Sequence, residues 1–496
     1  MRSPGRALSG LVATRRNSEQ ELLAVNPDDF DQKLEKILIT HIADCDSLLS
    51  AARLSGGASQ ETYRIEIKCK DQVRVLAMRR AIGGGYNEPG LAKVGLAGEA
   101  KLMQLAREAG VPAPEIFYLL NREDDLGDGF IMEWIEGEAL GARIVRRPEY
   151  ESLRPELAYE IGKVLARIHR IDVKQTGLED ILATLPPREF ITQTWDRYIA
   201  MDTPQPMIDY AGRWLLENLT EDHDQTLVHN DFRNGNFMVT PQQIVAVLDW
   251  EAAHIGDPMR DLGWICTNSW RYGGDAPVGG FGSYEDLFRG YEEVSGNKIN
   301  LEEVIFWQVF GSFWWSVTCL GMVVLFREGK DASIERASIG RRTSEALVDC
   351  VNLVIPGPVE VIAAHQSEQN LDMPGAAELL GSVIEFLRDQ VMTETGGRTN
   401  FMTRVSANSL DIVKRELSLL EAHRSLERSG LQAIYDTDDD LETLRWRLVH
   451  GLRDGTQSLD SEPLKAHLRN TIVNQVAIDQ PRYSGFKQAL EISSGQ

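Results

Sequence analysis

Two apolar runs separated by a polar loop, Leu227-Val-His-Asn-Asp-Phe-Arg-Asn-Gly-Asn-Phe-Met-Val239, and a third run at Val245-Ala-Val-Leu-Asp-Trp250 constrain this chain most. Apolar segments this short suit a strand, a tight loop and a hairpin return. That arrangement brings three oxygen-bearing side chains to one rim: Asp231, Asn236 five residues on, and Asp249 at the end of the next run.

At 496 residues the chain is too long for one ordinary core, and two or three domains are expected. Its formal net charge of −23 argues against a general nucleic-acid or anionic-membrane surface, since both reward clustered Lys and Arg. Neither kind of partner is expected. Cys45, Cys69, Cys266, Cys319 and Cys350 include no C-x-x-C pair, which fits reduced thiols in a cytoplasmic protein. Arg2, Arg6, Arg15 and Arg16 precede any acid, but no apolar signal core follows, and residues 1–30 are expected to be disordered. Val304 to Phe326 carries no charge and is long enough to span a bilayer. Its polar interruptions and its internal Trp307, Trp314 and Trp315 favour a buried helix of a large helical lobe.

Residues 33–54 have amphipathic helical spacing, and Ser55-Gly-Gly-Ala-Ser59 reads as a turn. Thr62–Lys68 and Val73–Arg79 alternate as strands, Leu96–Ala109 is helical, and Ile116–Leu120 with Phe130–Trp134 forms a second strand pair. Helical spacing then dominates, notably at Leu157–Ile171 and Trp195–Leu219, and resumes at Pro258 after the loop and short runs at 227–250. A break at 356–371 precedes further amphipathic stretches, the first entered through Asp372 and Pro374, then Phe401–Leu420 and Leu441–Leu452. The expected division is an α+β portion with a small antiparallel sheet (31–135), a mostly helical lobe (136–355), a linker (356–371) and a separate all-α domain (372–496).

Phosphoryl transfer from a metal-bound nucleotide needs the groups gathered at the rim: an acid to accept or orient the attacking hydroxyl's proton, and an Asn and an Asp to hold Mg2+ against the phosphates. The ordered set is broader than the rim. It runs from Leu54-Ser-Gly-Gly-Ala-Ser-Gln-Glu-Thr-Tyr63 through His229-x-Asp231-x-x-x-x-Asn236 and Leu248-Asp249-Trp250 to Gly256-Asp-Pro-Met-Arg-Asp-Leu-Gly-Trp264. Over roughly residues 35–350 this resembles the aminoglycoside-phosphotransferase-like branch of the protein-kinase-like fold. The resemblance implies a two-lobed fold, ATP and Mg2+ as cofactors, and a small-molecule acceptor. It makes Asp231 the catalytic base, Asn236 and Asp249 the metal ligands, and His229 and Asp261 supports of the catalytic loop. Ser55, Gly56, Gly57, Ala58 and Ser59 would cover the phosphates, and Arg79 would take the place of the usual strand lysine, paired with Glu99. Glu133, Trp134 and Ile135 would form the hinge beside adenine. Asn230 stands where many relatives carry Gly, which suits a left-handed backbone. Asp257 before Pro258 suits a helix cap.

Four readings compete. The motifs look nearest to relatives associated with acyl-CoA dehydrogenases, which implies a hydroxyacyl-CoA or another hydroxylated metabolite as acceptor, with Trp264, Trp270, Trp307, Trp314 and Trp315 compatible with an apolar pocket or with plain core packing. An aminoglycoside or aminoalcohol is the alternative acceptor. A non-catalytic nucleotide-binding scaffold is the second alternative, resting on the changes at Asn230 and Arg79. His229, Asp231 and His254 also imitate a two-His-one-carboxylate iron triad, against which the helical flanks argue. Pro374-Gly-Ala-Ala-Glu-Leu-Leu380, Ala407-Asn-Ser-Leu410 and Gln480-Pro-Arg-Tyr483 resemble a helical domain of unknown function that accompanies these phosphotransferases. Its expected role is a protein partner contact, self-association or stabilisation.

Overall fold

Alternation along the early strands builds the first layer. In the computed structural model, which describes residues 27–54, 60–85, 94–220, 224–364 and 373–495, β2 (Gln60–Cys69) and β3 (Gln72–Ala81) pair antiparallel with Tyr63 opposite Met78 and Ile65 opposite Leu76. These side chains share one buried face, as the two-residue strand period requires. The helix α1 (Pro27–His41) lays Phe30, Leu34, Ile37 and Leu38 against it, and each such burial is worth about 1.5–3 kcal/mol. With β1 (Ser47–Arg53), β4 (Ile116–Leu119) and β5 (Gly129–Glu133) the sheet has the order β1-β2-β3-β5-β4.

Two expectations fail here. The helix expected over 33–54 ends at His41, and Ser47–Arg53 is a strand with Leu48 opposite Ile67. Asp44 takes a left-handed backbone (φ 60°), which breaks the helical path, and apolar neighbours such as Leu48-Leu49 and Ala51-Ala52 fit either period. The helix also starts at Pro27, inside the stretch 1–30 expected to lack structure; residues 1–26 lie outside the described residues.

The described chain divides into two compact units, this sheet unit (the described residues up to 85 with Ile116–Trp134) and the remainder. The helix α2 (Gly95–Glu108), expected within the sheet portion, belongs to the second unit, where it packs on the turn at Trp250–Ala252 and the following Pro112 carbonyl accepts from Val247 N (2.8 Å). After α3 (Gly141–Arg146) and α4 (Arg154–His169), the stretch expected as one helix over 195–219 is two, α5 (Pro187–Ile199) and α6 (Pro206–Glu217). Pro204 and Pro206 and the left-handed Asp202 (φ 47°) force the break. Four short strands follow: β6 (Thr226–Val228), β7 (Phe237–Val239), β8 (Ile244–Val247) and β9 (His254–Gly256).

The helices α7 (Met259–Cys266) and α8 (Tyr284–Ser295) lead to α9 (Leu301–Arg327), which contains the uncharged stretch. It passes the length and apolarity test for a membrane span, yet it packs on α5, α6 and α7 and on the later α10 (Ile334–Arg341) and α11 (Thr343–Val354). Its first five turns carry the buried side chains and its last two are less covered.

The C-terminal region is helical: α12 (Ala376–Phe386), the single turn α13 (Met392–Glu394), α14 (Gly397–Tyr435), α15 (Leu441–Asp454), α16 (Glu462–Asp479) and α17 (Ser484–Ser494). Gly375, not Pro374, immediately precedes α12, and Asp372 lies outside the described residues. These helices share one compact unit with the helical lobe, α11 packing on α16 and α17. The start of the expected linker is pinned too: Asn474 accepts from Ile362 N (2.9 Å) and donates to Glu360 O (2.7 Å).

Candidate active site

The register of one hairpin assembles the rim. Phe237 lies opposite Val247 across β7 and β8, and Leu248 N donates to Asn236 O (2.8 Å), so Asn236 and Asp249 become neighbours although 13 positions separate them. Antiparallel β6 and β9, with Val228 opposite His254, deliver the loop that starts at His229. The His229 ring joins the two hairpins. Its Nε2 contacts Leu248 O (3.1 Å) and its Nδ1 contacts Asp231 N (3.3 Å), both satisfied by the tautomer protonated at Nε2. The His229 ring thus bridges the loop backbone and the end of β8.

Asn230 has φ 66°, the left-handed backbone expected of it. Its Oδ1 accepts from Arg260 Nε (3.0 Å) and its Nδ2 donates to Ala252 O (3.2 Å), contacts a glycine would lack. Asp249 is left-handed as well (φ 67°), which nothing in the sequence signalled.

Asp231 emerges as the hub. Its Oδ1 accepts from Trp264 Nε1 (2.8 Å) and Arg233 Nε (2.9 Å), and its Oδ2 accepts from Asn236 Nδ2 (2.6 Å). These donors fix the carboxylate while its side chain stays 22% exposed, so a small molecule can reach it. Asn236 Nδ2 also donates to Asp231 O (2.9 Å). With the amide nitrogen spent on Asp231, the carbonyl oxygen Oδ1 is left as a hard donor of the kind Mg2+ takes. A donor set of Asn236 and Asp249 fits that ion, which commonly uses one or two protein groups alongside substrate phosphates.

Behind the loop sits a fully buried brace. Asp261 accepts from Asn230 N (2.7 Å) through Oδ1 and from His229 N (2.8 Å) through Oδ2, which also contacts His169 Nε2 (3.1 Å). Burial by itself would raise its pKa, but the His169 hydrogen bond, the electrostatic influence of His169 and His229 and the His229 N–H outweigh it and hold the carboxyl below the usual range. Arg260 is also fully buried, its guanidinium 4.4 Å from the Trp264 ring and 5.7 Å from Trp314; burial lowers it to about 10 against the opposing charges of Asp261 and Asp231. Asp257 caps the first turn of α7 by accepting from Met259 N (2.8 Å), and also accepts from Trp307 Nε1 (3.0 Å).

Trp264, Trp270, Trp314 and Trp315 pack on one another rather than around an open apolar pocket, while Trp307 packs on Phe306 and Phe310. Trp264 stacks edge-on with Trp270 (5.2 Å) and Trp314 (5.4 Å), Trp270 contacts Trp315 (5.3 Å), and Trp264, Trp270 and Trp307 are buried. They form a packed cluster that orients Arg260 and Asp231. The iron-triad reading fails on geometry. Both ring nitrogens of His229 are engaged, and His254 Nδ1 contacts Ala252 O (3.4 Å) with the ring lowered to about 4 by burial. No cluster of three His, Cys, Asp or Glu suited to a metal exists among the described residues.

On the nucleotide side, Ser55, Gly56, Gly57, Ala58 and Ser59 lie outside the described residues. Arg79 sits on β3 opposite Thr62 and Phe130 and donates to Gln60 Oε1. Its neighbour Arg80 turns the other way, into the core, where it donates to Glu61 Oε2 (2.8 Å). Glu99 is buried on α2, Glu133 ends β5 opposite Leu76, and Trp134 and Ile135 follow directly.

Sequence reasoning missed Arg233, His169 and Arg260, and it read Trp264 only as an apolar side chain, not as a donor to Asp231. Arg233 stands two residues past Asp231, so spacing held a signal for it; His169 lies 92 positions from Asp261, and no local pattern points there.

Residues 50–296 match the model of the phosphotransferase enzyme family, and residues 393–483 match that of a domain of unknown function, DUF6285. Acyl-CoA dehydrogenase family member 10 of Mus musculus is 30% identical over 258 residues, covering 50% of this chain and 22% of the relative. Human acyl-CoA dehydrogenase family member 11 is 28% identical over 261 residues, 49% of this chain and 32% of the relative. The chain thus matches less than a third of the length of either relative. A candidate aminoglycoside phosphotransferase from Ralstonia eutropha has a similar fold, with a TM-score of 0.51, 22% identity, and coverage of 64% of this chain and 95% of that one. Over residues 50–296 the chain belongs to the phosphotransferase enzyme family, on a kinase-like fold continued by a helical region whose family has no assigned function.

Proposed function

We propose that the chain transfers the γ-phosphoryl group of ATP to a hydroxyl of a small molecule, with Asp231 as the base. The observation that carries this reading is the Asp231 carboxylate, gripped by Trp264, Arg233 and Asn236 yet still open to solvent on a loop braced by Asp261. In the step, a bond forms between the acceptor oxygen and phosphorus, the bond from phosphorus to the β-phosphate bridging oxygen breaks, and ADP leaves with that electron pair. The acceptor proton passes to Asp231. Holding the carboxylate at a fixed place converts encounter into positioning, which is most of what such a transfer needs. Asn236 and Asp249 would hold Mg2+, which supplies charge neutralisation at the phosphates when bound.

Arg79 would contact the nucleotide phosphates, with Glu99 as its partner; the loop 55–59 and the segment 133–135 would cover the phosphates and the adenine. For the acceptor, the names of the acyl-CoA dehydrogenase relatives favour a hydroxyacyl-CoA over an aminoglycoside or aminoalcohol. An ATP-turnover screen of the purified chain against all three classes tests this. Turnover stimulated by hydroxyacyl-CoAs is expected, and no stimulation by any acyl-CoA would remove that acceptor class.

A further inference from the structure

The segment Asn268–Gly273 has two sides. One backs the catalytic loop: Asn234 Nδ2 donates to Trp270 O (2.9 Å), and the Arg233 guanidinium, itself bound to Asp231, lies 4.2 Å from the Trp270 ring. The other side walls a cavity of about 400 Å³ that the C-terminal helices complete. Arg146, Arg341, Arg342 and Arg482 all line it.

Two of these arginines are neutralised. Arg341 pairs with Asp479 (2.8 Å) and Glu416 (2.8 Å), and Arg342 with Glu345 (3.0 Å). The other two are not. Arg146 donates to the backbone carbonyl of Tyr272, and Arg482 has no hydrogen bond or ion pair among the described residues. Nearby Arg415 is lowered chiefly by burial, with Asp411 and Asp479 opposing and Arg482 and Arg341 adding to the lowering. Two uncompensated guanidiniums facing one cavity are out of keeping with a chain of net charge −23.

The cavity is built rather than incidental. Arg482 belongs to the Gln480-Pro-Arg-Tyr483 turn, closed by Tyr483 N donating to Gln480 O (2.9 Å). Tyr483 Oη donates to buried Asp349 (2.6 Å), which also accepts from Asn268 Nδ2 (2.8 Å), and Ser484 Oγ donates to Asn268 Oδ1 (2.9 Å). Asn268 therefore ties the turn carrying Arg482 to the segment that backs the catalytic loop.

We propose that this cavity binds an oxyanion, phosphate or carboxylate, carried by the phosphoryl acceptor, so that the C-terminal helices supply part of the acceptor site. The proposal rests on the phosphotransfer reading for the word acceptor. The guanidinium fork of arginine matches both oxyanions, and two forks from different elements set a direction as well as a charge. The volume suits a headgroup or a short chain, with the remainder of the molecule outside it.

The test is calorimetric titration of the full chain, without ATP, using coenzyme A, inorganic phosphate and a short hydroxy acid as probes. Arg146→Gln and Arg482→Gln are compared with the unaltered chain; both side chains are exposed, so the fold should survive. At least one probe should bind, each substitution should weaken it on the order of 10- to 100-fold, and ATP affinity should stay within about twofold. Binding by coenzyme A and phosphate identifies a phosphate-bearing acceptor; binding by the hydroxy acid alone identifies a carboxylate. Failure of all three probes, or binding that survives both substitutions, overturns the subsite. Because the titration involves no transfer, a failed turnover screen with intact anion binding would remove the phosphotransfer reading and leave the site.

Discussion

Replacing Asp261 by Asn removes a charge at almost constant shape, and the structure sets the size of the effect. The carboxylate now accepts two backbone N–H groups, those of His229 and Asn230, through different oxygens. The amide keeps one oxygen, so its Nδ2 must confront one of those N–H donors, and a buried unpaired donor costs about 1–3 kcal/mol. Arg260, fully buried, loses a neighbouring countercharge at the same time. Arg260 makes no direct ion pair with Asp261 and keeps the Asn230 oxygen and the Trp264 face as partners, so the mispaired backbone donor sets the size of the effect. We therefore expect a loss of about 1–3 kcal/mol in the closed loop, roughly five- to a hundredfold in its population. Denaturant unfolding followed by tryptophan fluorescence, with Trp250 and Trp264 beside the loop, reads stability, and ATP turnover reads the loop itself. The pH dependence gives a second check. A carboxyl held low in the fold stabilises it above the unfolded value, and that contribution is lost as pH falls through the folded one. Asp261→Asn should therefore lose less stability on acidification than the unaltered chain. A midpoint and turnover both unchanged by the substitution would refute the brace.

At Asn230, Ala should destabilise more than Gly, by about 1 kcal/mol or more, because Ala meets the strain of φ 66° and Gly does not; equal unfolding midpoints would contradict this. Burial pushes Asp349 up to about 7, against the opposing Tyr483 and Asn268 hydrogen bonds. The folded chain then binds an extra proton from about pH 4 to 7, so this contribution is full at low pH and lost as pH rises through the folded value; Asp349→Asn should flatten that decline in a pH series of unfolding curves. Trp264→Phe removes one donor from Asp231 and should slow turnover on the order of tenfold or more, with ATP affinity retained in an equilibrium titration. Chelating Mg2+, or Asp249→Ala, should weaken nucleotide binding itself, measured by the same titration.

The sequence made the sheet, the hairpin rim and the left-handed Asn230 readable because each depends on local spacing or turn chemistry. The support behind Asp231 was not readable, since it is assembled from positions far apart: Trp264 lies 33 residues on, and His169 reaches Asp261 across 92. The misread stretch at 42–54 is a case of paired apolar residues fitting two periods, with the decision made by pairing to β2. The tryptophans stayed open between pocket and core for a related reason. Composition shows that large apolar side chains exist, while packing alone decides whether they line a pocket or fill a core.

The central claim is that Asp231 acts on the acceptor rather than on the nucleotide. Single-turnover transfer from labelled ATP, measured beside equilibrium ATP binding, tests it in one preparation of Asp231→Ala. The account predicts transfer reduced on the order of a thousandfold or more with ATP affinity within a few-fold of the unaltered chain. Transfer at the unaltered rate, or transfer and ATP binding lost in equal measure, would contradict it.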